Sequence, residues 1–363
     1  MHFGLFNLMT QRDRSQTVGE IIANTTEHVK LAEQIGFDIA WFAEHHFSNY
    51  CLCANPLTMC VFMSPQTKKI RLGPAVIVAP LYNPVRLMED ISMADQLSGG
   101  RLVLGFGSGY QEYEFHKFGV ALSDARSIFL ETMDFVETFL SGDPVRFEGK
   151  FINMPETHFS VRPLQKRPEI YVAGMPTDPE TQGRAMRRGY IPFFTTGWNT
   201  LDAIAEVREQ VRGAYVAAGG EPSRAPYAMQ RYIFVTDDRN EALKAAEGAR
   251  YIRRIAMSMR NKYGELDGAF LKEIPAPDEP PLKVVADRLL VGSADVVAER
   301  LAAEIERLQP THISGFMAVP GIEQKRVLKS MELFGSKVMP LLAKRFGDLA
   351  AVGVPTPMVK TAA

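Results

Sequence analysis

HFGLFNLMTQRDR, residues 2–14, decides the fold. Its first half, HFGLFNL (2–8), is an apolar run that reads as a buried strand. The segment that follows, MTQRDR, contains no glycine. A doubly wound nucleotide-binding sheet needs a glycine-rich turn directly after its first strand, so that architecture ranks second. The rest of the chain alternates strand and helix patterns. A helical stripe of Val18, Ile21, Ile22, Val29 and Ala32 spans 17–35 and stops at Gly36. IAWFA (39–43) is a second strand, 55–63 a short helix, and the apolar IRLGPAVIV (70–78) a third strand. Pro84 opens a helix to Leu97, RLVLGFG (101–107) is a fourth strand, and 124–140 a helix. EIYVAG (169–174), YIPFF (190–194), MQRYIFV (229–235) and THISGFM (311–317) supply strands five to eight. Helices over 178–188, 200–218, 239–258, 294–308 and 321–345 separate and follow them. This pattern predicts an α/β fold, a single (β/α)8 TIM barrel over residues 1–350.

Three segments interrupt the alternation. VRFEGKFINM (145–154) reads as an inserted hairpin turning at Glu148-Gly149. Residues 261–292, with the proline- and charge-rich EIPAPDEPPLK (273–283), read as a mobile, lid-like insertion after strand seven. The tail 351–363 reads as an extended or disordered arm.

Composition narrows the function. Lys plus Arg number 41 and Asp plus Glu 42, with no basic run, which argues against a nucleic-acid partner. The first residues are not a signal peptide, because the basic residues follow a short apolar stretch. No apolar run approaches the roughly 18 residues of a membrane span. Cys51, Cys53 and Cys60 are too few for a disulfide framework and lack zinc-ligand spacing. They indicate packing thiols, no metal, and a reducing compartment, the cytoplasm.

A barrel enzyme carries its site at the C-terminal ends of the strands. Those ends here are Asn7, Glu44-His45-His46, Ala75-Val76, Gly107-Ser108-Gly109-Tyr110, Gly174-Met175 and Thr195-Thr196. In WFAEHHFSN (41–49) two adjacent histidines follow a short strand, and neighbours on a strand point to opposite faces. At most one of them can therefore face a pocket, and histidine is suited to proton transfer near neutral pH. The alternative is a pair of packed, hydrogen-bonded histidines. GFGSGYQEYEF (105–115) offers close backbone approach and a Ser108 hydroxyl for an anion, or simply a tight turn. In GMPTDPET (174–181), Thr177 or Asp178 caps a helix whose N-terminus could also receive a phosphate. His116 reads as a surface or packing residue, and Arg86 as the partner of Glu89 or Asp90.

Taken together, GFDIAWFAEHHFS, LGPAVIV, NPVRLMEDISMADQLSGGRLVLGFGSGY, YVAG and MELFGSKVMPLL resemble the bacterial luciferase family of flavin-dependent monooxygenases. The resemblance covers roughly residues 1–346 and is to the alkanal-oxidising subunit. It implies FMN in its reduced form, FMNH2, delivered by a separate NAD(P)H:flavin reductase. Molecular oxygen then adds at the flavin C4a carbon, and one oxygen atom passes to a small organic substrate. It maps the catalytic histidine onto His45, with Glu44 and His46 as its neighbours, and a non-proline cis peptide onto Ala75-Val76. Asn7, Ala75, Val76, Ser108, Gly109, Tyr110, Gly174, Met175 and Thr195 become the expected flavin-binding residues. Two departures stand out: Ser108 replaces a phosphate-gripping arginine and Gly107 a reactive cysteine, so light emission is not expected. An F420-dependent hydride-transfer enzyme and a non-catalytic flavin-binding protein are the alternatives. Phe6, Phe193, Phe194 and Trp198 favour a substrate with an apolar portion, and Arg250, Arg253, Arg254 and Arg260 are candidates to line the pocket or lid. Relatives form dimers or tetramers. The helices around Met59–Met63 and Leu87–Ile91 would supply such a homo-oligomer interface.

Overall fold

The computed structural model describes residues 1–174, 178–260, 265–275 and 279–357. The chain begins with β1 (His2–Asn7), α1 (Val18–Gln34), β2 (Ile39–Phe42), α2 (Pro56–Met63), β3 (Arg71–Pro74) and β4 (Ile77–Val78). It continues through α3 (Pro84–Ser98), β5 (Leu104–Gly107), α4 (Glu112–Phe118), α5 (Ala125–Ser141) and the pair β6 (Val145–Glu148) and β7 (Asn153–Thr157). Next come β8 (Ile170–Ala173), α6 (Pro179–Arg188), β9 (Ile191–Thr195), α7 (Leu201–Ala217), β10 (Ala228–Val235) and α8 (Arg239–Arg260). The remainder is β11 (Leu266–Asp267), β12 (Phe270–Leu271), α9 (Leu282–Arg288), β13 (Leu290–Gly292), α10 (Ala294–Leu308), β14 (His312–Phe316), α11 (Gln324–Leu333) and α12 (Met339–Phe346).

Nine parallel strands in the order β3-β2-β1-β14-β10-β9-β8-β5-β4 make a nearly closed barrel, with β13 added beside β10. The gap between β3 and β5 is spanned by Leu72, whose N–H donates to Arg101 O and whose carbonyl accepts from Val103 N, both at 2.9 Å. Helix ends follow local rules. Thr17 and Glu20 form a reciprocal capping box at α1. Asn83 caps α3 ahead of Pro84, and Gly99, at φ +67°, ends it.

The barrel interior is set by size matching between neighbouring strands. Trp41 fills the centre against Tyr171, Phe193 and His312. It fits because Gly73 concedes the space: a Cβ there would lie 2.7 Å from the indole. The indole N–H donates to His312 Nε2 at 3.2 Å, and Gly4 makes the same kind of room for that imidazole.

Four readings need revision. Residues 70–78 are not one strand: β3 stops at Pro74, which has no N–H to give, and β4 resumes at Ile77. The peptide between Ala75 and Val76 is cis. The helix expected over 321–345 is two helices joined by a π-turn at Phe334–Val338, where Gly335 lets the turn approach Ile35. The insertion read as 261–292 is shorter: its last part folds as α9 and β13, the latter a full barrel-edge strand. Finally, the tail through residue 357 is docked, with Val354 N donating to Gln309 O and the Met1 ammonium donating to Leu349 O at 2.8 Å. A proline-rich composition suggested disorder, but long-range backbone bonding holds this piece.

His28 on α1 gives the fold a pH dependence. Its Nε2 lies 2.7 Å from Gln324 Oε1, while Gln324 Nε2 donates to Glu27. The amide therefore presents its oxygen, and the imidazole proton sits on Nε2. Burial pushes the His28 pKa down to about 4, the Gln324 bond opposing it. The folded state thus resists protonation that the unfolded state accepts near pH 6.5. Its contribution is complete above about pH 6.5 and declines as pH falls toward 4. At pH 5 the loss is about 2 kcal/mol relative to pH 7. Urea unfolding at the two pH values should show this slope, and His28→Gln should flatten it. An unchanged slope in the variant would remove His28 as its source.

Candidate active site

The C-terminal ends of the barrel strands enclose a cavity of about 530 Å³. Its walls include Phe6, Phe193, Phe194, Tyr232 and Phe316, so the interior is largely aromatic. Into it comes the turn after β2. Alternation along the chain sends the two histidines apart: His45 lines the cavity, while His46 turns against Phe118, ring centroids 4.7 Å apart.

Each histidine has its own carboxylate. Glu114, in the first turn of α4, places Oε1 3.0 Å from His45 Nδ1 and accepts the backbone N–H of His46 at 2.8 Å. A buried acceptor on Nδ1 fixes the proton there and leaves Nε2 with its lone pair for whatever fills the cavity. The ring is also held by Tyr50, 4.7 Å away and edge-on. Glu44 is buried and fully occupied. It meets His46 Nε2 at 3.0 Å and accepts from Val78 N at 3.2 Å and Tyr82 Oη at 2.8 Å. Burial, and then the Glu44 carboxylate, hold the Tyr82 phenol well above its ordinary pKa, so it remains an O–H donor. Burial does the same for Tyr50 and Tyr232 on the cavity wall.

Of the residues singled out from sequence, Glu44, His45, Ala75, Val76, Ser108, Gly109, Tyr110, Gly174 and Thr195 line this one cavity. Asn7 does not: its amide donates to Trp41 O at 3.0 Å, and it borders a separate cleft beside α1. Met175 and Thr177 lie outside the described residues. The glycines of the turn serve protein packing more than ligand approach. A Cβ on Gly105 would come 2.3 Å from Pro74 O, one on Gly107 2.7 Å from Val76, and one on Gly109 2.5 Å from Phe115. The Ser108 hydroxyl contacts Gly109 O at 3.3 Å. The N-terminus of α6 is filled from within, since Asp178 caps Glu180 N and Arg126 binds both carboxylates. Three cysteines remain free and buried, and no cluster of three or more potential metal ligands exists among the described residues.

Sequence reasoning missed Glu114, Tyr50, Gln230 and Tyr232. The signal for Glu114 was present: QEYEF carries a carboxylate one helical turn past the glycines, but α4 itself was not recognised. Gln230 lies on the cavity wall with 1 % exposure, and neither of its amide atoms has a hydrogen-bond partner among the described residues. A buried amide without partners marks a place where a polar ligand edge is expected.

Comparison with known proteins agrees with this architecture. Residues 1–312 match the family profile described as luciferase-like monooxygenase. The uncharacterized protein y4vJ of Sinorhizobium fredii is 36% identical over 96% of this chain and 99% of its own length. The oxygenase component of flavin-dependent trigonelline monooxygenase from Acinetobacter baylyi is 25% identical over 95% of this chain and 96% of its own. Among solved structures, the monooxygenase RslO1 of Streptomyces bottropensis superposes with a TM-score of 0.80 at 23% identity, covering 94% of this chain and 99% of that one. The oxygenating constituent of 3,6-diketocamphane monooxygenase from Pseudomonas putida, in complex with FMN, gives 0.77 at 22% identity, covering 94% and 98%. The F420-dependent tetrahydromethanopterin reductase of Methanopyrus kandleri shares the fold at 0.66 and 18% identity, covering 93% and 98%.

Proposed function

Because this chain belongs to the luciferase-like monooxygenase family, we propose that it is the oxygenase of a two-component system. It would take FMNH2 from a separate NAD(P)H:flavin reductase and use O2 to place one oxygen atom in a small organic substrate. The observation that carries this reading is His45, its Nδ1 tied to buried Glu114, on the wall of an aromatic cavity. A relative over almost the whole chain is named a flavin-dependent oxygenase component, which supports the separate reductase.

The cavity suits a flavin. Its aromatic walls match a planar ring system, and the unpartnered Gln230 amide offers both a donor and an acceptor to a polar ring edge or side chain. Ala75, Val76, Ser108, Gly109, Tyr110, Gly174 and Thr195 are the residues that would hold it. When bound, reduced flavin supplies the electrons and the carbon at which oxygen is activated. His45 Nε2 then accepts or returns a proton, and Glu114 keeps the ring in the correct tautomer and offsets the imidazolium charge. The apolar walls keep water from the reacting atoms.

Free thiols at Cys51, Cys53 and Cys60 fit a reducing compartment, the cytoplasm. Phe62 on α2 and Met93 and Leu97 on α3 expose a joint apolar face, the place for a homodimer contact. The test of function is direct. FMN should stabilise the protein against heat and F420 should not. With FMNH2 and oxygen, a substrate panel read by mass should give a product heavier by one oxygen atom. Stabilisation by F420 alone would refute the reading.

A further inference from the structure

Arg260 is the last residue of α8, and its side chain reaches across the barrel mouth to the turn after β5. Its guanidinium carbon lies 4.4 Å from the centroid of the Tyr110 ring. Among the described residues lining the cavity it is the one lysine or arginine. Its neighbours on the helix are otherwise engaged. Arg254 pairs with Glu279 and Glu273, and Arg253 sits over Trp198. No ion pair among the described residues uses Arg260.

The turn it faces lacks a positive charge of its own. Ser108 brings only a hydroxyl, already close to a carbonyl, and the N-terminus of α6 is occupied by Asp178 and Glu180. The cavity's two carboxylates, Glu44 and Glu114, are both committed to histidines. Among the described residues lining the cavity, Arg260 is the one counter-charge that a phosphorylated ligand entering here would meet, and it sits against Tyr110, two residues after Ser108.

We propose that Arg260 is the counter-charge for the 5′-phosphate of the flavin, so that α8 rather than the strand-end turn supplies the cation. This assignment rests on the flavin reading above. A guanidinium is suited to it: it can donate two parallel hydrogen bonds to phosphate while keeping its face on Tyr110.

The test compares FMN with riboflavin, which has the same ring and ribityl chain and no phosphate. Dissociation constants are read from quenching of flavin fluorescence, for the wild type, Arg260→Gln and Arg260→Lys, at low and high salt. The wild type should prefer FMN, and Arg260→Gln should weaken FMN by about tenfold or more while leaving riboflavin unchanged. Arg260→Lys should fall between them, and the salt dependence of FMN binding should shrink in Arg260→Gln. Equal weakening of both flavins would show that Arg260 only props the Tyr110 wall, and would overturn the assignment. So would unchanged FMN binding, or a wild type that holds both flavins equally. Loss of benzoate binding in Arg260→Gln with FMN unaffected would make Arg260 the receptor of a substrate carboxylate instead. A wild type that binds neither flavin would refute the flavin reading itself.

Discussion

His45→Ala is expected to lower oxygen-dependent turnover by about 10²- to 10⁴-fold, the range of a lost general acid–base group. Flavin affinity and the unfolding midpoint should change little, because the ring lines the cavity and is not a core anchor. Glu114→Gln separates charge from geometry. The amide oxygen can still accept from His45 Nδ1 and from the His46 N–H, so the tautomer survives. The counter-charge to the imidazolium does not. Turnover should therefore fall, by less than in His45→Ala. Measuring kcat and KM for both variants checks this. Undiminished turnover in His45→Ala, with normal flavin binding, would remove His45 from the chemistry. Undiminished turnover in Glu114→Gln would reduce Glu114 to a structural hydrogen-bond acceptor.

Glu304→Ala should be the most destabilising single change among the ion pairs. Arg231 projects from β10 away from the cavity and meets Glu304 of α10 at 2.7 Å, with side-chain exposures of 2 % and 5 %. The guanidinium also donates to Thr196 Oγ1, Gly197 O and Arg288 O, so it ties β9, β10, α9 and α10 together. Removing the carboxylate leaves a cation buried without its charge partner, which costs about 3–5 kcal/mol. Replacing both partners with apolar residues, Arg231→Met with Glu304→Leu, should recover most of that loss. Urea unfolding of the single and double variants gives the comparison. A double variant no more stable than Glu304→Ala would show that the backbone bonds of Arg231, and not its charge, hold these elements.

The strands, and the order of the helices between them, were legible because each has a local period or stop signal. The apolar run of β1, the Gly36 stop after α1 and the Pro84 start of α3 are examples. The split at β3 and β4 was not legible, because Val, Ile and Leu on either side of Pro74 read as one apolar run. The docked tail was missed for a related reason. Its composition resembles disordered segments, and only contacts with Met1 and Gln309, far away in sequence, hold it.

The site divides in the same way. Sequence by itself determined the barrel class, the strand ends that would face a ligand, and the rule that only one of His45 and His46 could do so. These follow from local periodicity and from where a parallel barrel exposes its strand ends. The family resemblance pointed to His45, and tertiary structure put that ring on the cavity wall and alone showed that Glu114, 69 positions later, meets its Nδ1. It removed Asn7 from the cavity, gave Gly105, Gly107 and Gly109 a packing role, and brought Arg260 from the end of α8 to Tyr110. Pairings of this kind join residues far apart in the chain. Each partner looks ordinary in its own segment, and the chemistry exists only where the fold closes the distance.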